Sequence, residues 1–186
     1  MATAVTCPPP ATQDDLAARV DALEQRMAGR NALTLMVFSG ELDRLIAAFN
    51  LAVAAAACGM PVHMFFTFWG ATALRRRGAH GRRGLIERLF GLLLPGGRSG
   101  LPLSRFDLFG LGRVLVRRRM QRRAMPSLDQ LLAQCAALGV GIHVCETSMD
   151  LMGFGREALL DYPHLETCGA ARFLALANRA GTTLFI

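Results

Sequence analysis

The stretch from Ile142 to Gly153, IHVCETSMDLMG, places one cysteine where an apolar run gives way to polar residues. The run ends at Cys145, and Glu146 begins a polar segment that is expected to turn into a short helix. A thiol at the carboxyl end of a parallel strand lies where functional groups gather in open α/β sheets. The thiolate is the reacting form of cysteine, and amide groups at a helix start favour it. Cys145 is therefore the predicted catalytic residue.

The residues around Cys145 suggest auxiliary roles. His143 lies two positions earlier and is expected on the same face of the strand, where it could act as a base. Ser148 and Asp150 belong to the polar segment, while Glu146 is expected to oppose ionisation of the neighbouring thiol. The apolar wall of the site is predicted from three residues that follow: Met149, Met152 and Phe154.

The chain has five cysteines. Cys168 is predicted to open a helix, where the helix dipole would lower its pKa, and it is the second candidate for a reactive thiol. Cys58 and Cys135 are predicted to be small core hydrophobes, and Cys7 lies in a proline-rich tail. With no C-x-x-C pair or metal-ligand spacing among them, reduced cytoplasmic thiols are expected, with no metal and no cofactor.

Alternating apolar strands and helices predict an α/β fold: a doubly wound, mainly parallel sheet with helices on both faces. Strands are expected over residues 33–38, 62–68, 141–145 and 182–186, and helices over 43–58, 127–138 and 168–180. Residues 45–74 form a segment without charged residues that is long enough to cross a membrane as a helix. Gly59 and Pro61 interrupt that stretch, so a buried helix followed by a buried strand is favoured.

Two segments are expected to stand outside the repeating α/β pattern. Residues 1–31 are predicted to be a disordered tail with a short helix whose seam has coiled-coil spacing, docked on residues 32–186 or, as the alternative, used for self-association. Residues 71–125 are predicted to be a helical, basic insertion. The segment from Arg75 to Arg123 contains fourteen arginines and only two acidic residues, so the positive net charge of the chain is concentrated there. This insertion is expected to pack on the domain or another subunit; contact of 85–123 with a membrane surface is the alternative, and nucleic acid is unlikely.

Three blocks resemble a known family: 37–70, ending FFTFWG, then CETSMDLMGF at 145–154, and the closing TTLFI. Together they are similar to the DsrE/DsrF-like sulfur carriers, in the longer single-chain branch sometimes labelled peroxiredoxin-like. The resemblance implies homo-oligomers and a persulfide on Cys145. It also implies TusA-like sulfur carriers and rhodanese-type donor proteins as partners.

The leading hypothesis is therefore a sulfur relay in cytoplasmic sulfur trafficking or oxidation, in which Cys145 carries sulfane sulfur and the chain could count as a sulfurtransferase. Two alternatives stay open. One is a non-catalytic membrane-surface or assembly module, which would place the chain partly at a membrane. The other is a thiol redox protein that uses Cys145 and Cys168, with Cys168 as the resolving thiol.

Overall fold

The computed structural model describes residues 12–28, 31–76, 101–104 and 111–186, with only the backbone described for 25–28. The strands are β1 (Leu33–Val37), β2 (Val62–Phe66), β3 (Gly141–Cys145), β4 (Leu165–Cys168) and β5 (Thr182–Phe185). The helices are α1 (Gln13–Ala28), α2 (Leu42–Ala57), α3 (Phe68–Thr72), α4 (Leu111–Arg122), α5 (Leu128–Ala137), α6 (Glu146–Leu151) and α7 (Ala170–Arg179). A short 3-10 turn spans Arg156–Ala158.

The five strands form one parallel sheet in the order β4-β3-β2-β1-β5. The central strands are apolar at nearly every position, as expected when both faces of a sheet are covered. The α/β fold with a parallel sheet is confirmed.

The two faces of the sheet are covered unequally. On one face, side chains such as Leu35, Met64 and Ile142 are fully buried in the main core, together with Phe49 of α2 and Leu131 of α5. The opposite face carries a small second cluster, in which Phe65 and Cys145 pack against Phe173 of α7. Helices therefore lie on both faces, and Cys145 belongs to the thinner side.

The helices that cover the main core begin where the sequence predicts. Ser127 caps α5 in a reciprocal capping box with Gln130, which satisfies two backbone amides at the helix start. Asp43 lies in the first turn of α2 and accepts hydrogen bonds from the backbone and side chain of Ser104. The uncharged stretch around residue 60 is a buried helix followed by a strand, as expected. Within the described ranges, no helix combines the length and the apolar character that crossing a membrane requires.

Two predicted boundaries are wrong. The strand predicted over 62–68 ends at Phe66, because the chain turns at Thr67 into α3. This turn needs Gly70: a Cβ there would lie 2.2 Å from the carbonyl oxygen of Val37. The helix predicted over 168–180 begins only at Ala170, since Leu165–Cys168 form the edge strand β4, which the sequence pattern did not suggest.

The N-terminal helix is present as predicted, but its apolar seam is open to solvent. Leu16, Val20 and Leu23 are 50%, 51% and 56% exposed, so the described part of α1 is not docked by this seam on the domain. The predicted disordered tail is described only at residues 12 and 13 and otherwise lies outside the described residues.

The basic insertion predicted at 71–125 is described only in part. Its first residues complete α3, and Arg75 forms an isolated bridge with Leu159. Its last part contains α4, which buries Met120 and leaves Leu111 and Leu115 72% and 70% exposed. The rest of the insertion, including much of 85–123, lies outside the described residues.

Candidate functional site: a thiol at the carboxyl edge of the sheet

Cys145 is the last residue of β3 and occupies the N-cap position of α6. Its side chain makes no cap hydrogen bond in the structure. The first turn of α6 nevertheless brings the backbone groups of Thr147 and Ser148 close enough to stabilise a charge on sulfur. A cysteine in this position replaces the hydroxyl or carboxylate oxygen that commonly caps a helix.

The polar groups around Cys145 favour its thiolate. Burial raises the pKa of the Cys145 thiol, but nearby groups that can donate to a thiolate lower it further than burial raises it: the side chain and backbone of Ser148, the side chain of Thr67 and the backbone of Thr147. The hydroxyl oxygens of Thr67 and Ser148 are 2.8 Å apart and both residues are buried. The net downward shift shows that the expected opposing effect of Glu146 does not prevail.

Thr67 was not among the residues predicted from sequence. The sequence places it inside a strand, whereas the structure places it just beyond the end of β2, next to the end of β3. Parallel strands end at a common edge, so the first polar residue after β2 was the available signal.

The apolar surroundings of Cys145 come from residues other than those predicted. Its cluster consists of Phe65 and Phe173, whose ring centroids are 5.2 Å apart, together with the partly buried residues Met36, Cys168 and Ala177. Cys145 is 7% exposed, so a reagent reaches the sulfur only through a narrow opening or a movement of this cover.

The three residues predicted to wall the pocket lie elsewhere: Met149, Met152 and Phe154 pack within the main core. Asp150, predicted as auxiliary, is exposed at the solvent side of α6. Ser148, by contrast, is 2% exposed and lies against Cys145. The roles assigned to these side chains stay predictions.

Cys168 lies beside Cys145 because the two residues end neighbouring parallel strands in register. The expectation that a helix start would lower its pKa is wrong, since Cys168 ends a strand and α7 begins two residues later. Burial, followed by the negative charge of Glu166, raises the pKa of the Cys168 thiol to about 11. The two neighbouring thiols therefore differ in the direction of their pKa shifts.

His143 does face the same side of β3 as Cys145, but its ring is engaged away from the sulfur. Its Nδ1 lies 2.6 Å from Oε1 of Glu166, and its Nε2 lies 3.1 Å from Nδ1 of His63. Glu166 also accepts a hydrogen bond of 3.0 Å from Nε of Arg172. These partners fit neutral imidazoles in which His63 donates to His143 and His143 donates to Glu166. Burial lowers the pKa of both histidines.

One group of side chains in the described ranges has donor atoms close enough to share a metal ion. Those of His143, Glu166 and Cys168 lie within 4.8 Å of one another. His143 is hydrogen-bonded to Glu166, and Glu166 accepts a hydrogen bond from Arg172. A metal ion would have to displace these contacts. The expectation of no metal and no cofactor stays a prediction.

The other described cysteines are less suited to chemistry. Cys135 is fully buried, as predicted, and burial raises the pKa of its thiol to about 11. Cys58 is exposed just beyond the last turn of α2, so the prediction that it lies in the core is wrong. Cys7 lies outside the described residues.

Known proteins resemble this chain over most of its length. A sequence model of the DsrE/DsrF/DrsH-like family matches residues 29–185, which include all five strands and Cys145. The chain belongs to this family. The resemblance stated from sequence is thereby confirmed.

Two relatives and one solved structure are similar to this chain. The uncharacterized protein YrkE of Bacillus subtilis is 34% identical over 154 residues, which cover 82% of this chain and 95% of that protein. The sulfur carrier protein DsrE2 of Allochromatium vinosum is 26% identical over 167 residues, or 83% and 97% of the two chains. The crystal structure of YchN from Escherichia coli has a TM-score of 0.52 at 14% identity, covering 84% of this chain and 99% of its own, which shows a common fold.

Proposed function

We propose that this protein is a sulfur relay protein that holds sulfane sulfur as a persulfide on Cys145 and passes it between partner proteins. Family membership and the likeness to a protein named a sulfur carrier support a sulfur-relay role at a coarse level. The observation that carries the finer proposal is the position of Cys145 at the end of β3 beside the buried hydroxyls of Thr67 and Ser148, which help to lower the pKa of its thiol.

Loading by a persulfide donor requires a nucleophilic sulfur and little other machinery. The Cys145 thiolate attacks the outer sulfur of a donor persulfide, the donor S–S bond breaks, and the donor leaves as its thiolate. A persulfide forms on Cys145 without any net oxidation or reduction. The same exchange in reverse delivers the sulfur to an acceptor, so the protein acts as a carrier or as a sulfurtransferase according to its partners.

TusA-like carriers and rhodanese-type donors, in the cytoplasm, are the partners proposed for this exchange. We further propose a homo-oligomer. Aromatic side chains are exposed near the carboxyl edge of the sheet: Phe185 is 69% exposed and lies 5.9 Å from Phe38, which lies 5.1 Å from Phe68 between ring centroids. An aromatic surface of this kind suits contact with another protein chain.

The test is intact-mass analysis after treatment with polysulfide and removal of excess reagent. Wild type is expected to gain about 32 Da on Cys145, the mass of one sulfur atom. The Cys145→Ser variant should lose this addition, and Cys58→Ser, which removes an exposed thiol, should keep it. The proposal would be contradicted if wild type and Cys145→Ser gained the same total mass, with all of the added sulfur at sites other than residue 145.

Membrane-surface contact is the second candidate, favoured by α4, where Leu111 and Leu115 are exposed and arginines lie on the same helix. Apolar and cationic side chains together suit an anionic lipid surface. Flotation with anionic liposomes tests it: binding that disappears when Arg117, Arg118 and Arg119 are replaced by glutamine supports membrane contact through α4, and failure of the wild type to float contradicts it.

A further inference from the structure

The two cysteines at the ends of β3 and β4 are placed for a reaction with each other. Cys145 and Cys168 are directly paired in the parallel register, and their side chains belong to the same small cluster. Adjacent strands lie about 4.8 Å apart, which falls inside the Cα separation of about 4.4–6.8 Å found for disulfides. The negative charge of Cys145 contributes to the raised pKa of Cys168, as expected for sulfur atoms in close proximity.

We propose that Cys168 resolves the persulfide of Cys145, so that the chain releases the carried sulfur as hydrosulfide and is left with a Cys145–Cys168 disulfide. The inference rests on the proposed function, because it needs a loaded Cys145. It adds an activity to the relay: transfer moves the sulfur unchanged, whereas this step reduces it.

The reaction balances without an outside oxidant. The Cys168 sulfur attacks the inner sulfur of the Cys145 persulfide, the S–S bond to the outer sulfur breaks, and that sulfur leaves with the electron pair of the broken bond. Written for the persulfide anion, the proton of the Cys168 thiol ends on the departing sulfur as HS⁻. The two cysteine sulfurs are oxidised to a disulfide, the sulfane sulfur is reduced to sulfide, and a dithiol reductant then restores the pair.

The charges around Cys168 hold this step back near neutral pH. Burial, Glu166, Cys145 and Glu146 raise its pKa, while Arg172 lowers it, and the neighbouring His143 is engaged with Glu166. A carrier with these properties keeps its persulfide long enough to transfer it. Release should become faster as the pH rises towards the pKa of Cys168.

The experiment uses the full chain with Cys7→Ser and Cys58→Ser, to remove two thiols outside the site. This background protein, and the same protein with Cys168→Ser, are loaded with polysulfide, desalted, and followed by intact mass and a sulfide assay at pH 7.0 and 8.5. The background protein should lose its added sulfur, release about one sulfide per chain and yield a peptide linked through Cys145 and Cys168, faster at pH 8.5. Cys168→Ser should keep the added sulfur and release sulfide at least about tenfold more slowly.

The outcomes separate this inference from the proposal on which it rests. Persulfide that is equally durable in both proteins, with no linked peptide, would overturn the resolving role and leave the relay intact. Failure of the background protein to take up sulfur on Cys145 would overturn both.

An independent observation concerns α1, whose apolar seam is exposed. Leu16, Val20 and Leu23 follow a four-three spacing, which gives leucine at both d positions and valine at the a position between them. That combination favours a parallel, two-stranded coiled coil. Arg19 then falls at a g position and Glu24 at the e position five residues later.

We infer that α1 pairs with α1 of a second copy of this chain, in parallel and in register. In this arrangement Arg19 of each copy faces Glu24 of the other, which gives two symmetric ion pairs. An antiparallel pair would bring g positions together and place arginine against arginine. Two heptads hold only weakly by themselves, so the pairing is expected in the full chain, where other contacts between copies can assist it.

Cysteine cross-linking in the Cys7→Ser, Cys58→Ser background tests this pairing. Val20→Cys, at the seam, should form interchain disulfides on mild oxidation, and Asp21→Cys, one position later and off the seam, should not. Arg19→Glu should reduce cross-linking of Val20→Cys several-fold, and adding Glu24→Arg should restore it. Equal cross-linking at the two positions, or no response to the charge changes, would overturn the inference.

Discussion

At the scale of single residues, the site depends on the different polar surroundings of two adjacent thiols. Cys145 faces hydroxyl and amide donors that stabilise its charge, whereas Cys168 faces the carboxylate of Glu166. Both are partly desolvated, so the difference comes from their polar neighbours. The neighbouring groups, more than burial, decide which sulfur ionises first.

Removing a donor should therefore slow the reactions of Cys145. Thr67→Val keeps the shape of the side chain and removes the hydroxyl. A hydrogen bond to a charged group contributes about 1.5–3 kcal/mol, so alkylation of Cys145 by iodoacetamide at pH 7 should slow by roughly tenfold. Peptide mass spectrometry measures the rate. Thr72→Val is the control, since the Thr72 hydroxyl donates to the carbonyl of Trp69 instead; an unchanged rate in Thr67→Val would contradict the role of Thr67.

At the scale of elements, the sequence predicts best the strands and helices that follow a repeating hydrophobic pattern, and it predicts the shortest strand worst. The apolar strands β1, β2 and β3 and the capped helix α5 follow directly from the hydrophobic pattern and from Ser127. β4 has four residues, all only partly buried, and includes Glu166, so no hydrophobic pattern marks it. Because β4 was missed, so was the pairing of Cys168 with Cys145. Thr67 was missed for a related reason: its closeness to Cys145 depends on the order of strands in the sheet.

The helix α7 is the element that covers Cys145, and it does so mainly through one residue. Phe173 is 8% exposed, whereas Leu174 beside it is 64% exposed. Phe173→Ala should cost about 3 kcal/mol of the free energy of unfolding and should raise the labelling rate of Cys145 several-fold. Leu174→Ala should change both by little, within about 0.5 kcal/mol for stability. Denaturation and thiol labelling measure the two effects; equal labelling of Cys145 in both variants would show that α7 is not the cover.

At the scale of the whole molecule, one chain of polar side chains crosses three strands of the sheet. It runs from His63 on β2 through His143 on β3 to Glu166 on β4, and on to Arg172 of α7. This chain ties the edge strand and its covering helix to the centre of the sheet. The sequence shows the histidines, but their alignment across strands appears only in the folded register.

The same chain makes stability depend on pH. The pKa values of His63 and His143 are lowered in the folded protein from 6.5, so the unfolded protein binds more protons when the pH falls below about that value. The contribution of the two histidines to the free energy of unfolding should therefore be constant above that pH and decrease as the pH falls further, so that urea titrations give a lower stability at pH 5.5 than at pH 7.5. Replacing both histidines with glutamine should flatten this dependence, and stability that rises on acidification of wild type would contradict it.

The proposed relay depends on Cys145 ionising before its neighbour Cys168, and one measurement tests this directly. The rates of alkylation of Cys145 and Cys168 are followed by peptide mass spectrometry across a range of pH in the Cys7→Ser, Cys58→Ser protein. We expect Cys145 to react at the lower pH, below the 9.0 of an ordinary thiol, and Cys168 to follow only towards about 11. Labelling of Cys168 first, or of both together, would contradict the assignment of Cys145 as the sulfur-carrying thiol.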